Sequence, residues 1–153
     1  MNTLGSLAYE TAVAALRSQD EELNRMRIHT GTLIAAGSLV ASFLGAQALS
    51  RSGSGPWATL GIAAFVLSML PCIYLLVPKT AFFFHFNGPV IYEQFNGSET
   101  TLDEIQATVA EWLQTYYDSN RSKMDSLNRY FVAASAALVA EIIFFAIGLQ
   151  ATI

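Results

Sequence analysis

Between Ile28 and Ser50, 23 consecutive residues carry no Asp, Glu, Lys or Arg, and a second such run extends from Ser52 to Pro78. As an α-helix, the first run reaches about 34 Å, enough to cross a hydrocarbon core of about 30 Å. A soluble fold of 153 residues buries only about 70% of its unfolded surface and has no interior large enough to hide both runs. Gly53, Gly55 and Pro56 supply a turn between them. Trp57 and Tyr74 stand near the two ends of the second run, where aromatic side chains favour the membrane interface. A third apolar run, Tyr130 to Ile153, holds one charge, Glu141. The chain therefore reads as a single all-α membrane domain, 1–153, with three transmembrane helices at 28–50, 56–78 and 130–150.

Composition agrees. Hydrophobic residues make up 53% and charged residues 13%, against roughly 25% charged in an ordinary soluble domain. A net charge of -4 without a basic cluster excludes a nucleic-acid partner. The single cysteine, Cys72, lies inside an apolar run, so it reads as a small buried side chain rather than part of a disulfide or a Cys-rich metal site. Residues 1–20 are polar, include Glu10, and lack the charged-then-apolar order of a cleaved signal peptide. No phosphate loop, nucleophile elbow or dinucleotide fingerprint is present, and His29 and His85 have no paired acid. No catalytic residue, cofactor or metal is expected.

Basic residues set the expected orientation. Arg25 and Arg27 precede the first span, Lys79 follows the second, and Arg121, Lys123 and Arg129 precede the third, while Arg51 alone lies on the other side. This asymmetry places the N-terminus and residues 79–129 in the cytoplasm and the C-terminus outside a plasma (inner) membrane.

Two cytoplasmic helices are expected beside the spans. Within residues 1–27, Tyr9, Ala12, Leu16, Gln19, Leu23 and Met26 recur three and four apart. Nothing breaks that helix before Ile28, so it runs into the first span. Thr101-Leu102-Asp103-Glu104 has the form of a capping box. From there Ile105, Val109, Trp112, Tyr116, Met124, Leu127 and Phe131 continue without Pro or Gly as far as Gly148. One helix of roughly 70 Å is expected, with residues 101–129 outside the bilayer. Each stripe needs apolar cover. They pair with each other as a helical hairpin, or with copies from neighbouring subunits; Gln19, Ser119 and Asn120 interrupt a long uniform coiled coil.

Residues 79–100 read as an interfacial linker. Phe82, Phe83, Phe84 and Phe86 suit an interfacial anchor, ended by a turn at Asn87-Gly88-Pro89. The alternative is a ligand pocket shared with Tyr92 and Glu93.

Glu141 is the costliest residue for lipid. Carboxylates within spans face a bundle interior, a partner or a water-filled path, so Glu141 is either a pore or proton-linked site, or a neutral group holding subunits together. In the first span Gly37, Ala41 and Gly45 form a small-residue row with Ser38 and Ser42 beside it, suited to close helix packing or to lining a pore. Pro71 is expected to kink the second span, as a detail of the fold or as a gating hinge.

The order of parts resembles the Pycsar effector transmembrane family and, less closely, the SLATT membrane effectors, small bacterial membrane proteins tied to nucleotide-signalled antiphage defence. The likeness covers about residues 9–150. It rests on the helix entering the first span from Glu22 to Ala36, the tight hairpin to the second span, and the aromatic exit Phe82-Phe83-Phe84-His85-Phe86. It continues through Tyr92-Glu93 and the long helix from Thr101. The family often has an Asp and a Lys close together where the first span begins; this chain has Ile28-His29-Thr30-Gly31. The resemblance implies a homo-oligomer that perturbs the inner membrane when triggered, with a nucleotide signal or a cytoplasmic protein as partner. A membrane scaffold or assembly subunit, and a small ion channel or transporter using Glu141, are the alternatives.

Overall fold

The computed structural model describes residues 3–52, 55–77, 82–84, 88–97 and 99–150. Among the described residues, five α-helices follow one another: α1 (Leu4–Val40), α2 (Ala46–Ser52), α3 (Pro56–Leu76), α4 (Gly88–Phe95) and α5 (Leu102–Gln150). A π-helical stretch, Ala41–Gly45, joins α1 to α2. The residues on either side of it keep ordinary right-handed dihedrals, so the helix widens there without breaking. Among the described residues, three helical segments are long and apolar enough to cross a membrane: Leu4–Arg51, Pro56–Leu76 and Leu102–Gln150. The all-α, three-span expectation holds at this level.

Local chemistry accounts for the ends. Pro56 opens α3 within its first turn, where its missing N–H costs nothing. At the head of α5 the capping box forms as expected. The Glu104 carboxylate accepts hydrogen bonds from the Thr101 N–H at 2.9 Å and hydroxyl at 2.8 Å, and the Glu104 N–H donates back to Thr101 Oγ1 at 3.4 Å. The expected turn at Asn87-Gly88-Pro89 is corrected in its described part. Gly88 and Pro89 open α4, because proline is tolerated in a first helical turn. Asn87, with Gly53, Lys79, His85 and Phe86, lies outside the described residues. The second span ends as a helix at Leu76, short of the expected 78.

The chain divides into two units. One is built from residues 1–24 and 79–125, the other from 25–78 and 126–153, and α1 and α5 each contribute to both. In the first unit, Leu16, Val109 and Leu113 form the core, with Tyr9, Ile91, Phe95, Trp112 and Tyr116 packed against it. The Gly5 N–H donates to Asp103 Oδ1 at 2.7 Å and Gln19 Nε2 to the Tyr117 carbonyl at 3.0 Å. Both pairs are 98 residues apart in sequence, so α1 and α5 run parallel here in constant register. The two stripes do cover each other within one chain, but side by side and parallel rather than as an antiparallel hairpin.

The second unit turns the soluble pattern inside out. The buried face of α3 is a row of mostly small residues: Ala58, Gly61, Ala64, Ser68, Cys72 and Leu75. Large apolar side chains such as Leu67, Leu70 and Ile73 point outward. Small residues inside let backbones approach, and large ones outside meet lipid tails without penalty.

Candidate functional site

The site grows from the close helix approach in the second unit. Phe145 of α5 is fully buried and packs with Ala48 and Ala58. A Cβ on Gly61 would stand 2.6 Å from its ring, and one on Gly45 would stand 3.2 Å away. A side chain on Gly61 would collide with the ring, and one on Gly45 would press tightly against it. Gly45 is also the buried residue of the π-helical stretch. Further along α5, a Cβ on Gly148 would meet Trp57 Cβ at 3.3 Å, so that end is packed as tightly.

One turn back along α5 lies Glu141, with 0% of its surface exposed. A Cβ on Gly37 would stand 3.6 Å from Glu141 Oε2, 3.4 Å from Leu138 Cδ1 and 3.3 Å from Met69 Cε. The carboxyl group is therefore enclosed by α1, α3 and its own helix. Neither oxygen has a hydrogen-bond partner among the described residues. Polar neighbours elsewhere in the unit spend their hydroxyls locally: Ser68 donates to the Phe65 carbonyl and Thr30 to the Met26 carbonyl.

The structure brings together Glu141 and Gly37, with Gly45 against Phe145 one turn away. Ser38 and Ser42 are not part of this cluster. Both are exposed, and the Ser42 hydroxyl donates to the Ser38 carbonyl at 2.7 Å. Ala41 is half-buried between the two groups. Pro71 sits inside α3, which continues across it to Leu76. The wedge formed by Phe145, Gly45 and Gly61 was not foreseen, though Gly61 continues the small-residue spacing of α3.

In the other unit, Asn120 is fully buried. Its Nδ2 donates to the Phe83 carbonyl at 2.9 Å, and the Phe83 N–H donates to Oδ1 at 3.3 Å. The aromatic segment is thus pinned to α5 through its backbone. Phe83 stacks on Tyr116 at 5.4 Å, and Lys123 Nζ lies 5.6 Å from the Phe83 ring and 5.8 Å from that of Phe82. Tyr92 and Glu93 are exposed, and neither lines the apolar cavity bordered by Phe84. The pocket expected with those two residues is therefore corrected: Phe84 borders a cavity, and its other walls come from elsewhere.

No family model, curated protein or solved structure matches this chain.

Proposed function

We propose that this chain is an oligomeric bacterial inner-membrane protein that perturbs the membrane when triggered, in the manner of the antiphage effectors its layout resembles. The observation that supports this reading most is Glu141, a fully buried carboxyl group in the middle of a span without a hydrogen-bond partner among the described residues. An ionisable group at that depth costs about 2.5–3.5 kcal/mol on insertion scales, and such residues mark bundle interiors and ion or proton paths. Nothing described within one protomer offsets the cost. A rearrangement that turns Glu141 toward water or toward a neighbouring copy would.

Three spans enclose no path by themselves, so the reading includes homo-oligomerisation, with the exposed Ser38 and Ser42 on the outer face of the first span. The basic residues beside the spans put residues 1–27 and 79–129 in the cytoplasm, where a nucleotide or protein signal would arrive. The protein acts without catalysis, through its effect on the bilayer.

The test is membrane potential in cells that express the chain together with a nucleotide cyclase, followed by dye release from proteoliposomes. Depolarisation that depends on the signal and is weakened by Glu141→Gln is the expected result. An unchanged potential in signal-containing cells, with intact liposomes, rejects the reading. A constant flux without any signal would instead favour a small channel. The scaffold reading draws on the exposed Leu4 and Leu7 at the head of α1, and would be favoured by a stable partner held through residues 1–27 in the absence of flux.

A further inference from the structure

The unit built from residues 1–24 and 79–125 contains an apolar cavity of about 350 Å³ that its core leaves unfilled. Val13 and Leu16 of α1 form one wall, and Val109 and Leu113 of α5 form another. Phe84 and Ile91 close it from the connecting segment and α4. A second lobe of about 230 Å³ shares Tyr9, Ile91 and Val109 with the first and adds Ile105 and Gln106. Two adjoining apolar clefts of this size, partly open to the surface beside the unit's own core, offer room for an occupant.

The lining says what kind. Among the described residues, no Lys, Arg, Asp, Glu or His borders either lobe, and the side chains able to hydrogen-bond are Tyr9 and Gln106. A phosphate placed there would lose its water and meet no cation, a heavy cost for an unpaired charge. An apolar molecule loses nothing by the transfer. Small-molecule sites are typically about 300–1,000 Å³, mostly apolar, with a few polar groups that fix orientation.

The walls are held from outside the cavity. Asn120 fixes the Phe83 backbone with two hydrogen bonds, which places the adjacent Phe84 at the cavity edge. The Phe82 and Phe84 rings are parallel, 5.6 Å apart. On α4, Ile91 and Phe95 are one turn apart and both pack toward the core, and Phe95 stacks on Trp112 at 6.0 Å. Walls tied down by hydrogen bonds and ring stacking in this way suit a preformed cleft.

We propose that this cavity is a binding site for an uncharged, predominantly apolar small molecule that hydrogen-bonds to Tyr9 or Gln106, and that it does not take a nucleotide. The site is separate from Glu141, so it stands whether or not the chain perturbs membranes.

The test uses the full chain in phosphatidylcholine nanodiscs, photolabelled with a neutral phenyl diazirine and mapped by peptide mass spectrometry. Saturable labelling at Tyr9, Val13, Ile91 or Val109 is expected, reduced roughly tenfold by Val13→Trp or Ile91→Trp, as for a loss of about 1.4 kcal/mol of binding. Hydrogen-exchange protection of α5 over residues 102–118, in the same unit, should stay the same in both variants, which shows that the unit folds. An excess of cyclic nucleoside monophosphates should not compete. Unsaturable or absent labelling of these residues, labelling undiminished in both filled variants, or displacement by the nucleotides would each overturn the proposal.

Discussion

Phe145 occupies the space that a side chain on Gly61 would need: a Cβ there would lie 2.6 Å from the ring. The ring has little room to move, because it is fully buried and Gly45 also packs against it. The helix contact one turn from Glu141 is thus set by one aromatic ring and two absent side chains.

Gly61→Ala makes this measurable. Helix propensity alone would favour alanine by about 1 kcal/mol. Overpacking a fitted contact costs typically 1–3 kcal/mol, so the net change should be destabilising. Thermal unfolding in detergent should show a lower midpoint, and adding Phe145→Leu should recover most of it. A variant as stable as the parent would mean that the wedge is looser than it looks.

Asn120 is a different kind of lock, because both of its amide groups are committed to the Phe83 backbone. Asn120→Ala leaves a part-buried N–H and C=O to find water, a cost of about 1–3 kcal/mol. The loss should be local. Hydrogen exchange at Phe83 and proteolysis near residues 82–84 should accelerate while the spans keep their protection. Uniform loosening of the whole chain would contradict a local clamp.

The head of α5 gives a pH dependence with a definite sign. Hydrogen bonds from the Thr101 N–H and hydroxyl hold the Glu104 carboxyl below its ordinary value of 4.5. A group whose folded value is lowered contributes stability that is fully present above the unfolded value and is lost as pH falls through the folded one. The first turn of α5 should therefore fray as acid is added below about pH 4.5, seen as faster exchange at residues 102–105. Glu104→Gln, which removes the titrating group, should abolish that acid response, and an equal response in that variant would reject the capping account.

How much of this was readable beforehand depends on the range of the interaction. The spans follow from missing charge and the capping box from a four-residue pattern, Thr101 to Glu104, both local signals. The mutual cover of the two stripes was legible from Leu16, Val109 and their neighbours. Its parallel sense followed from the expected orientation, in which both helices run from the cytoplasm into a span, and it contradicts the expected hairpin; the contacts of Gly5 and Gln19 show it directly. Gly88-Pro89 was ambiguous for the same reason that proline suits both turns and first helical turns. Asn120 read as an interruption of the stripe because its partner, Phe83, is 37 residues away. The π-helical stretch has no sequence signature in Ala41–Gly45 beyond the glycine that ends it.

Glu141 offers the sharpest separation of structure from function. A carboxyl group retained only for packing should be replaceable by a side chain of similar size that lipid and the bundle interior both accept. Glu141→Leu removes a group costing about 2.5–3.5 kcal/mol at the centre of a span and leaves no unmet partner, since none is made among the described residues. The variant should unfold later than the parent in detergent or on steric trapping in bilayers. If the proposed activity is right, it should also fail to depolarise cells that contain the signal. Greater stability together with lost activity is what a site kept at the expense of the fold predicts. Lower stability would mean instead that Glu141 finds a hydrogen-bond partner in the assembled oligomer, and cross-linking yields of the parent and variant would then differ in the same direction.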